Sequence, residues 1–162
     1  GGYTSLRMAC AAGQMIALVA GCPCAPVPTA LVGLLSVGGQ GGALGRRVGV
    51  ALAGKHDAAF VTVYEGEGDP APTPGRLVAA SEIAGLGLDL LVGGEHTPAA
   101  LVEAARGAGV RMLPLVLQAE SLLAAAGMVP PVEPARCVPL YGREPEAVSK
   151  WRALHGSPTD RT

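Results

Sequence analysis

The chain has 162 residues, enough for one ordinary core or for two small lobes sharing a cleft. Its hydrophobic fraction of 49% against a charged fraction of 15% marks a well-buried globular chain and argues against disorder. Net charge is −1 from 12 basic and 13 acidic residues without a basic stripe, so direct nucleic-acid binding has no electrostatic support. The longest apolar runs are broken by Gly, Pro or Gln short of the roughly 18 residues that a membrane span needs. Nothing resembles a signal peptide, which makes a cytoplasmic protein the default expectation.

The first predicted element is a helix over Ser5–Ala20, with Thr4 as its N-cap and Gly21 and Pro23 as its stop. Met8, Ala12, Met15 and Val19 fall on one face at helical spacing. The opposite side is hardly more polar, since only Arg7 and Gln14 interrupt Cys10, Ala11, Ala17 and Leu18. A helix that is apolar nearly all round is buried on more than one side. It is either a central core helix or one whose second face meets another chain.

An apolar stretch, Ala25–Pro28, leads to a second helix from Thr29 to about Val37. The glycine-rich Gly38–Gly45 is the best connector, dividing a first part, 1–45, from a second, 46–162. Arg47–Leu52 and Ala58–Tyr64 are strand-like and joined by a hairpin at Ala53–Asp57, and an acidic, Pro-rich loop follows at Glu65–Pro74. Beyond it a short helix opens at Ser81, and Leu88–Val92 is a buried strand. Pro98–Ala108 is a helix with proline in its first turn. Val110–Leu113 is a strand, Ala119–Ala126 a helix, Val138–Tyr141 a last strand and Pro145–Leu154 a charged helix. Mixed strands and helices with a hairpin point to α/β layers.

The residues that carry chemistry are sparse. His56, His96 and His155 lie far apart and form no metal-binding helical pair. Cys22-x-Cys24 is too tight for the common zinc pair, and all four cysteines, Cys10, Cys22, Cys24 and Cys137, are expected to be reduced apolar fillers. Gly94-Glu-His96 is either an acid/base pair or a solvated loop. Gly93 and Gly94, after a strand and before a helix, are a candidate anion loop, though they lack the GxGxxG and Walker patterns. Asp57 and Asp89 have no carboxylate partner close in sequence. So few placed polar groups suit a scaffold better than a catalyst.

Three segments carry a family resemblance. Gly1-Gly-Tyr-Thr-Ser-Leu-Arg7, running on into Met8-Ala-Cys-Ala-Ala-Gly-Gln-Met-Ile-Ala-Leu, resembles the Gly-Ser-Phe/Tyr-Thr-Gly-Leu-Arg turn and helix of the TsaB family. Pro139-Leu-Tyr-Gly-Arg-Glu-Pro-Glu-Ala-Val148 is similar to that family's closing Pro-x-Tyr-Leu-Arg-x-Pro-x-Ala-Val. Leu52–Phe60 stands where the family tends to have Asp-Ala-Arg-x-x-Glu-Val-Tyr, but with Ala53, Lys55 and Ala58 in place of Asp, Arg and Glu. Gly2, Ser5 and Gly142 are further departures. The motif residues that survive best are Tyr3, Thr4, Arg7, Pro139, Tyr141 and Arg143.

The resemblance implies an actin/Hsp70-like (RNase H-like) two-lobe α/β fold. The family's first lobe begins with a strand meander upstream of the turn, so an N-terminally truncated, incomplete first lobe is expected. It also implies a non-catalytic dimerisation subunit of bacterial tRNA threonylcarbamoyladenosine (t6A37) synthesis, with no cofactor and no metal of its own. Its partners are a TsaD-like catalytic subunit, a TsaE-like ATPase or a second copy of itself, with tRNA engaged only through the complex. On this reading Met8, Ala12, Met15 and Val19 face the chain's own sheet, while Arg7, Ala11, Gln14 and Leu18 face a partner helix. The alternative in which both faces are core stays open. Rival functions are a nucleotide-binding ATPase or phosphotransferase lobe with phosphate on Gly93–Gly94, and an inactive glycoprotease-like fragment.

Overall fold

A computed structural model describes residues 3–38, 46–55, 57–65, 73–141, 151 and 154–155. In chain order these form α1 (Tyr3–Ala20), α2 (Thr29–Gly38), β1 (Arg47–Lys55), β2 (Ala58–Glu65) and β3 (Thr73–Ala79). A 3-10 segment (Ala80–Leu86) precedes β4 (Leu90–Gly93), α3 (Ala99–Gly107), β5 (Arg111–Pro114) and α4 (Ala119–Met128), and a single 3-10 turn (Pro134–Arg136) comes last.

The five strands make one sheet in the order β3-β2-β1-β4-β5. The β1–β2 hairpin and β3 pair antiparallel, whereas β4 and β5 run parallel to β1. Side chains alternate along a strand, and that alternation divides the core in two. Val48, Val50, Tyr64, Leu90 and Val92 point to one face and pack with Ala30, Leu31, Val32 and Val37 of α2 and Ala125 of α4. Ala51, Ala59, Val61, Val63, Val78 and Leu91 point to the other, against Ile83 of the 3-10 segment and Leu101 and Ala105 of α3. Both faces are covered, which explains why β4 is apolar at every position but its terminal glycine. Each fully buried Leu or Val stabilises the fold by about 1.5–3 kcal/mol relative to exposure.

Helix α2 fits the predicted Thr29–Val37 closely. Pro28 lacks an amide hydrogen but offers its carbonyl to the amides of Leu31 and Val32, which starts the helix. Ser36 is buried on it, donating to the Val32 carbonyl at 2.9 Å and accepting the Gln118 amide at 3.4 Å. That hydroxyl links α2 to the start of α4. The division expected at residue 45 thus falls between α2 and the sheet against which α2 packs.

Three expectations need correction. Residues 73–79 are an edge strand, not the end of a loop and an unassigned stretch. The Pro74-Gly75 pair is a breaker signal, yet proline is tolerated on an edge. Val138–Tyr141 has no regular secondary structure and is not a strand. Its alternation is real, with Val138 and Leu140 exposed and Pro139 and Tyr141 half-buried, but it lies along α1 instead of joining the sheet. Finally, α1 does not lay Met8, Ala12, Met15 and Val19 on the sheet: all four are exposed, Val19 at 86%. The sheet's two faces are already taken by α2 with α4 and by α3 with the 3-10 segment.

What α1 buries is a narrower stripe: Ala17 is buried, and Cys10, Gly13 and Gln14 are half-buried. Helix α1 starts at Tyr3, so Thr4 is its second residue and not its cap. It stops as expected at Gly21. There φ is +64°, and the amides of Gly21 and Cys22 return to the Leu18 and Ala17 carbonyls. Gly1, Gly2, His56, Gly142, Arg143, the connector at 39–45, most of the acidic loop (66–72) and most of the predicted C-terminal helix lie outside the described residues.

Candidate functional site

Two places on the molecule bear on function. The first is α1 with the segment laid along it. Arg7 donates from Nε to the Tyr141 hydroxyl at 2.7 Å, and its guanidinium carbon sits 5.7 Å from the centre of that ring. The hydrogen bond from the guanidinium to Tyr141 raises the Arg7 pKa, reinforcing its positive charge. Two turns along the helix, Gln14 donates from Nε2 to the Cys137 carbonyl at 3.1 Å. The strand-like backbone pairing of Cys24 with Val132, at 2.8 and 2.9 Å, holds the start of this segment.

The sequence-selected residues therefore separate. Arg7 and Gln14, expected to face a partner helix, contact the chain's own C-terminal segment. Ala11 and Leu18 are exposed, Leu18 at 62%. Thr4 is exposed, Pro139 and Tyr141 are half-buried, and the Tyr3 side chain lies outside the described residues. Two motifs 134 residues apart in sequence, the opening Tyr3–Arg7 and the closing Pro139–Tyr141, meet in space through Arg7 and Tyr141. Beside that seam α1 exposes Met8, Met15, Ile16, Leu18 and Val19, each at least 60% open. Exposed apolar side chains contiguous on a helix mark an interaction surface.

The second place is an open cleft of about 460 Å³ at the carboxyl ends of the parallel strands, lined by Ala51, Gly93–Thr97, Pro114, Leu115 and Leu117. Such crevices bind ligands in open α/β sheets. Gly93 is required here by close approach, because a Cβ on it would stand 2.8 Å from the Thr97 hydroxyl. The loop is a turn closed by the Thr97 amide on the Gly94 carbonyl at 3.0 Å, so that amide is not free for an anion. Neither Gly93 nor Gly94 adopts positive φ.

Glu95 and His96 approach to 3.4 Å with both side chains more than three-quarters exposed, a solvated pair. Among the described residues no Lys or Arg lines the cleft.

Other sequence candidates are absorbed by structure. Asp89 accepts the Arg47 amide at 2.8 Å through its carboxylate and tethers the start of β1, which Arg47 also ties to Glu65 at 2.7 Å. Asp57 sits in the hairpin at the other end of that strand, roughly 25–30 Å away at about 3.3 Å per residue, so the two make no dyad. All four cysteines are free thiols. Among the described residues no group of three or more His, Cys, Asp or Glu is placed to hold a metal, and no helix is long and apolar enough to cross a membrane.

The architecture matches solved structures. A Pseudomonas aeruginosa protein described as uncharacterized, with similarity to the peptidase YeaZ, superposes with a TM-score of 0.67 at 21% identity. The match covers 88% of this chain and 69% of that one. YeaZ from Pseudomonas aeruginosa gives a TM-score of 0.65 at 19% identity over 87% and 69% of the two chains. The chain has the YeaZ fold. This is the actin-like α/β architecture that the TsaB resemblance implies. No family model matches the sequence, and neither does any curated protein.

Proposed function

We propose that this YeaZ-like chain is a non-catalytic pairing subunit that docks onto a TsaD-like catalytic subunit in t6A37 synthesis. The observation that carries the reading is the open apolar face of α1, where Met8, Met15, Ile16, Leu18 and Val19 are exposed on a YeaZ-like fold. Transferring such side chains from water to a partner helix is favourable, and the exposed small residue Ala11 lets two helices approach closely. The reading also draws on what the site lacks among the described residues, where no Ser or Cys is hydrogen-bonded to a histidine. A TsaE-like ATPase and tRNA join only through the complex.

The test is co-purification with the TsaD-like protein of the same organism. Wild type should pair and Leu18→Glu should not, because a charge buried against an apolar helix is costly. Failure of the wild-type chain to pair, or unchanged pairing by Leu18→Glu, counts against this face.

A nucleotide-binding lobe is the second reading, favoured by the cleft at the ends of β1, β4 and β5. Its lining opposes it, since Glu95 repels phosphate and among the described residues no Lys or Arg answers it. Magnesium-dependent ATP binding by the isolated chain, abolished by Gly93→Val, would establish it over the scaffold.

A further inference from the structure

Among the described residues the sheet ends at β3, so one side of that strand has no partner strand. The Ala80 amide bonds the Asp57 carbonyl at 3.0 Å, and Ala79 back to Arg76 continue the same antiparallel register against Ala58 to Val61. Bonded and unbonded positions alternate along such a pair. Val78 and Arg76 therefore bond β2, while Ala79 and Leu77 turn their backbone groups away from it.

Side chains cover part of that outward backbone. Glu82, in the first turn of the 3-10 segment, accepts the Ala79 amide on Oε2 at 2.9 Å. Its Oε1 accepts from Arg76 Nη1 at 2.8 Å, and the same Nη1 donates to the Leu77 carbonyl at 3.2 Å. The Ala79 amide first, and the Arg76 side chain second, hold the Glu82 carboxyl below its usual range, so the clasp is ionised and closed at neutral pH. An ion pair with both partners half exposed adds little stability, so its worth lies in where it sits. Beside it, Leu52, Phe60 and Leu77 stand in register as an apolar row across β1, β2 and β3. The row ends at the edge with Leu77 half exposed.

We propose that the Arg76–Glu82 clasp guards the β3 edge, and that opening it lets this edge pair with β3 of a second copy of the chain. Exposed edges are templates for such pairing. An antiparallel pair about a two-fold axis at Leu77 sets Leu77 opposite its own copy, each amide meeting the other's carbonyl. The same register sets Ala79 opposite Gly75 and uses the amide that Glu82 holds. Arg76 then stands opposite Val78, so no like charges face each other directly, and the two apolar rows join through both copies of Leu77. The strand is thus its own complement.

The experiment measures sedimentation of the 162-residue chain over a concentration series, with amide exchange read at Leu77. Relative to wild type, Glu82→Ala should tighten self-association roughly tenfold or more, and the Leu77 amide should exchange more slowly as concentration rises. Adding Leu77→Lys to that variant should restore wild-type association, because two positive charges then meet at the axis. Wild-type association by Glu82→Ala overturns the proposal. So does a tighter association that survives Leu77→Lys, since it lies on another surface such as α1. Should Glu82→Ala fail to fold, Arg76→Ala decides in its place, because it frees the Leu77 carbonyl and leaves Glu82 on the Ala79 amide. It should tighten association severalfold, and unchanged association overturns the guard.

Discussion

The sheet and helix α1 are built on opposite plans. From β1 to α4 both faces of the sheet carry helical cover, and Leu91 and Leu101 between sheet and α3 are fully buried. Helix α1 is just as apolar, yet it is fixed by a seam of polar contacts, Arg7 to Tyr141 and Gln14 to Cys137, and leaves its methionines in solvent. Apolarity alone therefore does not locate a core. A helix can be as apolar as a buried strand and still lie open among the described residues, and the distinction shows only when the elements that cover the sheet are identified.

Substitutions should separate the two regions. The largest effect on folding belongs to the sheet. Leu91→Ala empties a fully buried position and should lower unfolding free energy by about 2–5 kcal/mol in a denaturant titration. On α1, Leu18→Glu should abolish partner binding while leaving the unfolding midpoint of the isolated chain within about 0.5 kcal/mol of wild type. A large loss of stability there would mean that α1 is core after all.

A subtler effect sits at Tyr64. Its side chain is buried and its hydroxyl has no hydrogen-bond partner among the described residues, so Tyr64→Phe should stabilise the fold by about 1 kcal/mol. Burial pushes the Tyr64 phenol up from 10.0 to about 12. The unfolded phenol ionises first, so this residue's contribution is intact below pH 10.0 and is lost as pH rises towards about 12. The phenylalanine variant should lack that alkaline loss.

Smallest of all, Arg7→Ala should scarcely move the global unfolding midpoint, because the contact is exposed. It should still raise amide exchange in the segment around Leu140, and unchanged exchange there would dissolve the seam.

Much of the fold was legible in the sequence because period and punctuation agreed. Thr29–Val37 after a proline, the Arg47–Leu52 and Ala58–Tyr64 pair, and Pro98–Ala108 with proline in its first turn all signal their elements locally. The failures share a cause. Strand β3 hides behind Pro74-Gly75 because an edge strand has one ladder to satisfy and tolerates what a central strand would not. Val138–Tyr141 alternates as a strand does, but alternation reports a segment with one covered side and not what covers it. For α1, near-uniform apolarity gives a weak directional signal, so the choice of inner face fell to Met8 and Met15 when packing uses Gly13, Gln14 and Ala17. The candidate site was legible as motifs only. That Arg7 meets Tyr141 is a property of the tertiary fold, and no local pattern encodes a contact across 134 residues.

The same separation has a consequence during synthesis. Helix α1 leaves the ribosome long before Tyr141 is made, and at about 5–20 residues per second it waits on the order of ten seconds for the segment that seats it. Throughout that interval its polar stripe is open along with its apolar face. The nascent chain is therefore most available to a chaperone, or to an already folded partner, before its own closing segment exists.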